Sequence, residues 1–276
     1  MKLALIVVSD GHTGHKNGLL NPISELEEGV PVPMYSIPQS LWNITEEVRD
    51  WVNTNCKKYD KWLINLGETT QGNAHNDDLL TAEMHLQFKW AAEAMYPFLD
   101  MKGMKGARFL QATSWHEYGD GSSSKLMIEI LKAKYQKLDI RQAVQSRMLA
   151  DNVLFEWTHH GPGTSKRKYL EGNSAFLEAK DRVLHHLIEN KRCPDLTFTA
   201  HTHKPSQAKA SILSNGEYVS NTHVITPPLC GPGAYSRKVA NPSMYYVGTH
   251  CVLTDGHGFE VIPFYKRLID YDMEEI

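Results

Sequence analysis

The chain has 276 residues, 41% of them hydrophobic and 22% charged, which is long enough to bury a substantial core and too ordered in composition for a disordered polymer. With 29 Lys and Arg against 32 Asp and Glu the formal charge is -3, so no global field draws the chain to nucleic acid or an anionic membrane. No stretch approaches the run of about eighteen apolar residues that a membrane-spanning helix needs.

The first predicted element is "LALIVVSD" (3–10), a continuous apolar run of the kind buried on both faces of a sheet. The opening "MKLALIVVSDGH" lacks the long apolar region and small-residue cleavage site of a signal peptide, so the expected address is the cytoplasm. A helix follows over 44–56 with Thr45 as its cap, then a strand "KWLINLGE" (61–68) and a helix over 77–99 whose acidic start suits the helix dipole. Next come a strand "ARFLQATS" (107–114), a helix over 123–138, a strand "VLFEWTHH" (153–160), a helix over 174–190 and a strand "LTFTAHTH" (196–203). Beyond residue 204 the pattern turns to β-rich segments such as "EYVSNTHVIT" and "MYYVGTHCVLT", punctuated by "SNG" and "DGHG" turns. Alternating β and α elements followed by a β meander predict two packed sheets with helices outside them. We expect one domain over 1–276, with an α/β part over 1–204 and a β-rich part over 205–276 that completes the second sheet. Cys56, Cys193, Cys230 and Cys251 form no C-x-x-C pair and are expected to be reduced, structural thiols.

Each of the five apolar strands runs into polar chemistry at its C-terminal end. Asp10 and His12 follow the first, Glu68 ends the second, His116 follows the third, His159 and His160 end the fourth, and His201 and His203 end the fifth. In open α/β sheets the ligand crevice lies outside the carboxyl ends of the strands, so these groups are expected to converge. The D-x-H and H-x-H spacings suit this, because an extended chain points alternate residues the same way. Carboxylates mixed with imidazoles favour Zn, Mn, Fe or Ni over a calcium cage of oxygens. The donors exceed what one tetrahedral ion uses, so the set points to two metals. His159 and His160 compete for one ligand role, with His159 preferred as nearer the strand body. His15 is expected to be a solvated loop residue. Asn73 and His75 in "GNAH", Lys166 and Arg167 after the His159 turn, and Arg237 in "PPLCGPGAYSRK" are candidates for substrate contact, against the alternative of wet loops.

The order of these stations resembles the calcineurin-like metallophosphoesterases, whose pattern runs D-x-H, G-D, G-N-H-[DE], H and G-H-x-H. The resemblance covers about residues 3–204. Here the stations read Asp10-Gly11-His12, Gly67-Glu68, Ser114-Trp115-His116-Glu117, His159 in "THHG", and Ala200-His201-Thr202-His203. The stretch "ATSWHEYG" is also similar to a G-T-x-x-H variant associated with phage-encoded members. The resemblance implies an α/β fold, a four-layer α/β/β/α sandwich of two packed mixed β-sheets flanked by helices. It implies that Asp10, His12 and His203 hold one ion, that His159 and His201 hold the other, and that Glu68 stands where the bridging aspartate belongs. The ions would be divalent, Mn2+ first, with Zn2+, Fe or Ni2+ as alternatives. The implied activity is metal-assisted hydrolysis of a phosphate ester, a diester of nucleotide or nucleic-acid type ahead of a phosphoprotein, with His116 catalytic and Glu117 or Asp10 orienting imidazoles. Two positions depart from the pattern: Glu68 is one methylene longer than aspartate, and Trp115 replaces a ligating asparagine with an indole that has no acceptor lone pair. Thr113, Ser114 or a water is then left to fill that place. These departures keep two alternatives open, a one-metal hydrolase and a catalytically impaired scaffold that binds metal or nucleic acid.

Overall fold

All six residues of the strand Leu3–Val8 (β1) are buried, because a neighbour pairs with each of its edges and a packed layer covers each of its faces. The computed structural model describes residues 2–73, 78–118, 122–162, 172–233 and 245–268. Parallel to β1 runs Asp60–Asn65 (β2), with Val7 opposite Ile64, followed in the same sheet by Met104–Leu110 (β3) and Asp139–Ala143 (β4). On the other edge of β1 lie antiparallel Tyr246–Thr254 (β10) and then Phe259–Arg267 (β11), giving the order β11-β10-β1-β2-β3-β4. The second sheet takes Gln145–Ala150 (β5), Val153–Thr158 (β6), Leu196–Thr199 (β7), Ser206–Ser214 (β8) and Glu217–Ile225 (β9), in the order β5-β6-β7-β9-β8. Both sheets are mixed, with β6, β7 and β9 parallel and the β5 and β8 edges antiparallel.

The period of two along β1 divides the core. Leu3, Leu5 and Val7 face the second sheet and pack with Phe155, Trp157, Leu196 and Phe198. Ala4, Ile6 and Val8 face the opposite way, into a cluster with Leu41, Val48, Phe98 and Met127. These come from the helices Ser36–Asn55 (α1), Met84–Leu99 (α2) and Ser122–Lys134 (α3). The fourth helix, Asn173–Ile188 (α4), buries Ala175, Ala179 and Val183 and covers β8 and β9. The result is the expected four-layer sandwich of two packed mixed sheets with helices on both outer faces.

Several expectations need correction. Residues beyond 204 do not all complete the second sheet: β8 and β9 do, while β10 and β11 extend the first. Helix α1 starts eight residues before its expected position, with Pro38 in its first turn, where a missing N–H costs nothing. Helix α2 starts later, because Leu79 bridges to His15 before the helix begins. Strands β4 and β5 were not expected. Among the described residues no helix is long and apolar enough to cross a membrane.

Two buried imidazoles make stability depend on pH. His250 lies between the sheets against Phe198 and contacts the Tyr265 hydroxyl, and His223 on β9 pairs with Thr199 Oγ1 at 3.0 Å. Burial lowers the pKa of each from 6.5 to about 3. Between those values the unfolded chain holds a proton that the folded chain does not, so their contribution is complete above pH 6.5 and lost as pH falls toward 3. The slope is about 1.4 kcal/mol per pH unit for each imidazole. Urea unfolding at pH 7 and pH 5 is expected to show a smaller loss for His250→Gln than for the parent chain; equal losses would rule this linkage out.

Candidate metal centre

The parallel strands β1, β2 and β3 of one sheet and β6 and β7 of the other release their chains at one rim. Asp10 and His12 lie just past β1, Glu68 past β2, Thr113 and His116 past β3, His159 and His160 past β6, and His201 and His203 past β7. Backbone hydrogen bonds strap the rim together, from Asp10 N to Gly67 O at 3.0 Å, His12 N to Glu68 O at 2.9 Å and Ala200 N to His159 O at 2.9 Å. Gly67, at φ 108°, is required by space as well as conformation, since a Cβ there would sit 2.7 Å from the Ala112 Cβ and 3.1 Å from His159 Nδ1.

The ligand candidates do not align through the pleat. Asp10, His12, Glu68, His201 and His203 all have left-handed backbone, with φ between 43° and 69°. They account for five of the nine described residues other than glycine with positive φ. The ladder has ended by then, and it is the left-handed turns that aim residues i and i+2 at one point. A left-handed L-residue costs roughly 1–2 kcal/mol, and such conformations gather where surrounding structure enforces them.

Glu68 occupies the middle of the cluster. Its Oε2 lies 3.2 Å from His12 Nε2, and its Oε1 lies 3.4 Å from His159 Nε2 and 3.5 Å from His201 Nδ1. Thr113 Oγ1 donates to the same Oε1 at 2.6 Å. Asp10 Oδ1 is 3.5 Å from His203 Nε2, and its other oxygen accepts from Ser9 Oγ. Two donor groups result, Asp10, His12, Glu68 and His203 on one side, and His159, His160 and His201 on the other, with the donor atoms of each group within 4.8 Å of one another.

Neighbouring backbone and side chains fix the tautomers. His159 Nδ1 donates to Leu66 O at 2.7 Å, which turns Nε2 toward Glu68. Tyr245 OH donates to Cys230 O at 3.1 Å, so its oxygen accepts from His203 Nδ1 at 3.1 Å and His203 Nε2 faces Asp10. Hydrogen bonds of this kind on the far nitrogen orient metal-ligating histidines. His116 Nδ1 donates to Gln71 O at 2.8 Å, and its ring meets that of His12 edge-on at 4.6 Å.

The charge pattern fits a cation. Burial opposes ionisation of Glu68, but contacts from His12, His159 and His201 outweigh it and hold the carboxyl well below the usual range. Burial also works against a charged His159, yet the Glu68 contact and the Asp10 charge raise it to about 9. Burial first, then the His12 charge, lower His116 to about 4. Asp10 Oδ1, His12 Nδ1 and Nε2, and His159 Nε2 are buried without a hydrogen-bond partner. Such atoms cost about 1–3 kcal/mol each when left unmet, and a divalent ion among these carboxylates and imidazoles would meet Asp10 Oδ1, His159 Nε2 and one nitrogen of His12.

The expected site residues Asp10, His12, Glu68, His159, His201, His203 and His116 therefore come together at this rim. Asn73 is exposed and accepts from Tyr118 OH at 3.2 Å, outside both donor groups. His75, Lys166, Arg167 and Arg237 lie outside the described residues. Glu117 does not orient an imidazole: it is buried and accepts from Ala112 N at 3.0 Å and Ser124 Oγ at 2.6 Å, tying the loop after β3 to α3. His15 is not solvated but 5% exposed, accepting from Asn17 N at 3.0 Å and lying 3.6 Å from Asp78. Trp115 is 77% exposed and belongs to neither donor group. Sequence reasoning missed Tyr245, whose contact with His203 depends on the entry to β10 and carries no local signal.

No family model matches the chain, and no curated protein matches it. Among solved structures, an archaeal phosphodiesterase aligns with 95% of this chain and 99% of its own, at 11% identity and a TM-score of 0.43. A protein of unknown function from Aquifex aeolicus aligns with 73% of this chain and 80% of its own, at 14% identity and a TM-score of 0.34. Vps29 from Chaetomium thermophilum aligns with 96% of this chain and 97% of its own, at 6% identity and a TM-score of 0.35.

Proposed function

We propose that the protein is a metal-dependent phosphoesterase of the calcineurin-like kind, a single domain that hydrolyses a phosphodiester of nucleotide or nucleic-acid type. The observation that carries this reading is the Glu68 carboxylate, which lies between the two donor groups and faces His12 Nε2 and His159 Nε2, both buried without a hydrogen-bond partner. Asp10, His12, Glu68 and His203 would hold one divalent ion, and His159 and His201, with Glu68, the other; manganese is preferred. When bound, such ions neutralise phosphoryl oxygens and acidify water.

The protein's own groups do the rest. Glu68 stays ionised at neutral pH and spans the two sets. His159 and His203 keep their donor nitrogens inward because Leu66 O and Tyr245 OH hold the opposite nitrogens. His116 is neutral at pH 7 with its proton on Nδ1, so Nε2 is an acceptor. An anionic ester beside it favours its protonated form. That makes His116 the group that accepts the proton lost by the attacking water and passes it to the leaving oxygen.

His116→Ala is expected to lower manganese-supported hydrolysis of an aryl phosphodiester by about 10²–10⁴-fold, with metal content unchanged. A rate within a few-fold of the parent would remove His116 from the chemistry. No hydrolysis by the parent with any of several divalent metals would overturn the proposed activity.

A further inference from the structure

We propose that the second ion is held by three imidazoles, with His160 as a ligand beside His159 and His201. This rests on the reading of the rim as a metal centre and identifies what completes its weaker half. The donor atoms of the three histidines lie within 4.8 Å of one another, and the His160 ring is 4.9 Å from each of the other two. His159 Nε2 is buried without a hydrogen-bond partner and aims toward the same space, 3.4 Å from Glu68 Oε1.

Consecutive residues of a strand point to opposite faces, which would let only one of His159 and His160 reach the centre. Strand β6 ends at Thr158, however, and the chain bends at His159, whose carbonyl accepts from Ala200 N at 2.9 Å. The bend brings both rings to the same side. Trp115 is largely exposed and its indole has no acceptor lone pair, whereas His160 has a donor atom within 4.8 Å of those of His159 and His201.

The two halves then differ in chemistry. Asp10, His12, Glu68 and His203 offer two carboxylates and two imidazoles, whereas His159, His160 and His201 with Glu68 offer three nitrogens to one carboxylate. Imidazole-rich sites suit zinc, cobalt and nickel, while oxygen-richer ones suit manganese. The pair of sites is thus asymmetric, and the His160 side is the one that takes cobalt or zinc first.

The test is a titration of metal-free protein with Co2+, following visible absorbance and bound metal by equilibrium dialysis. The parent chain is expected to bind two ions. His160→Ala is expected to weaken one of them by on the order of 100-fold, the upper end of what even indirect partners of a metal contribute, and to change the absorbance of that ion. His160 is exposed, so its removal leaves the fold intact, which circular dichroism checks. His160→Asn, which restores an oxygen donor, is expected to recover part of the affinity. His12→Ala is expected to weaken the other ion and spare this one. If His160→Ala binds two ions as the parent does, the three-imidazole site is wrong while the metal-centre reading stands. If the parent binds no cobalt, both are wrong.

Discussion

Glu68→Gln is expected to abolish hydrolysis, a loss of at least about 10³-fold, because a pair of ions contributes several kcal/mol to the barrier and this carboxylate faces both donor groups. The substitution keeps the shape of the side chain and removes only its charge. Oε2 faces His12 at 3.2 Å, and Oε1 faces His159 and His201 at 3.4 and 3.5 Å. A neutral amide offers one oxygen in place of two and puts N–H donors where the cations are expected. Metal content should therefore fall along with the rate, which separates this variant from His116→Ala, where only the rate falls. Thr113→Val is a milder control: it removes the hydroxyl that holds Oε1 at 2.6 Å and leaves the charge in place. Retention of both ions and of activity within about tenfold in Glu68→Gln would show that the carboxylate is not the shared ligand.

Trp157→Ala is expected to destabilise the fold by about 3–5 kcal/mol, the usual cost of emptying a large buried aromatic site. Trp157 is fully buried between the sheets, among Leu3, Leu5, Val7 and Phe155. Total stabilities are only about 5–15 kcal/mol, so this one change removes a large share. Urea unfolding measures it directly. Trp157→Phe should cost less, since the ring volume is mostly kept and the indole Nε1, which has no hydrogen-bond partner, is removed. A loss below about 1 kcal/mol for the alanine variant would mean that the inter-sheet core collapses freely around the site. Because Trp157 sits two residues before His159, the same experiment with metal present tests whether the core and the rim are mechanically linked.

What the sequence disclosed follows from burial. Strands β1, β2, β3, β6 and β7 are covered on both faces, so they read as continuous apolar runs, and the chemistry at their ends stood out against them. Strands β4 and β5 are sheet edges with sequences "DIRQA" and "QSRMLA", mostly half-buried or exposed, and a strand whose faces are not both covered carries no such run. The acidic residues before α2 resembled a helix start because dipole arguments favour acids there, but this segment is pinned to His15 instead. His15 itself carried no periodic signal, and its burial depends on Asp78, 63 positions away in the chain. At the rim, the ligand candidates were legible from residue type and spacing, although the pleat that suggested the spacing is absent there. His159 and His160 looked like rivals for the same reason, and the bend after Thr158 removes the conflict. The partners that orient these groups, Thr113 and Tyr245, are contacts between distant loops.

The left-handed backbone at Asp10, His12, Glu68, His201 and His203 gives those positions a second identity. Glycine is the residue most at ease in that conformation, and it has nothing to offer a cation. Glycine at any of the five would relieve roughly 1–2 kcal/mol of local backbone cost while deleting a metal-capable group, so at this rim the backbone's preference and the chemistry of the side chains pull in opposite directions.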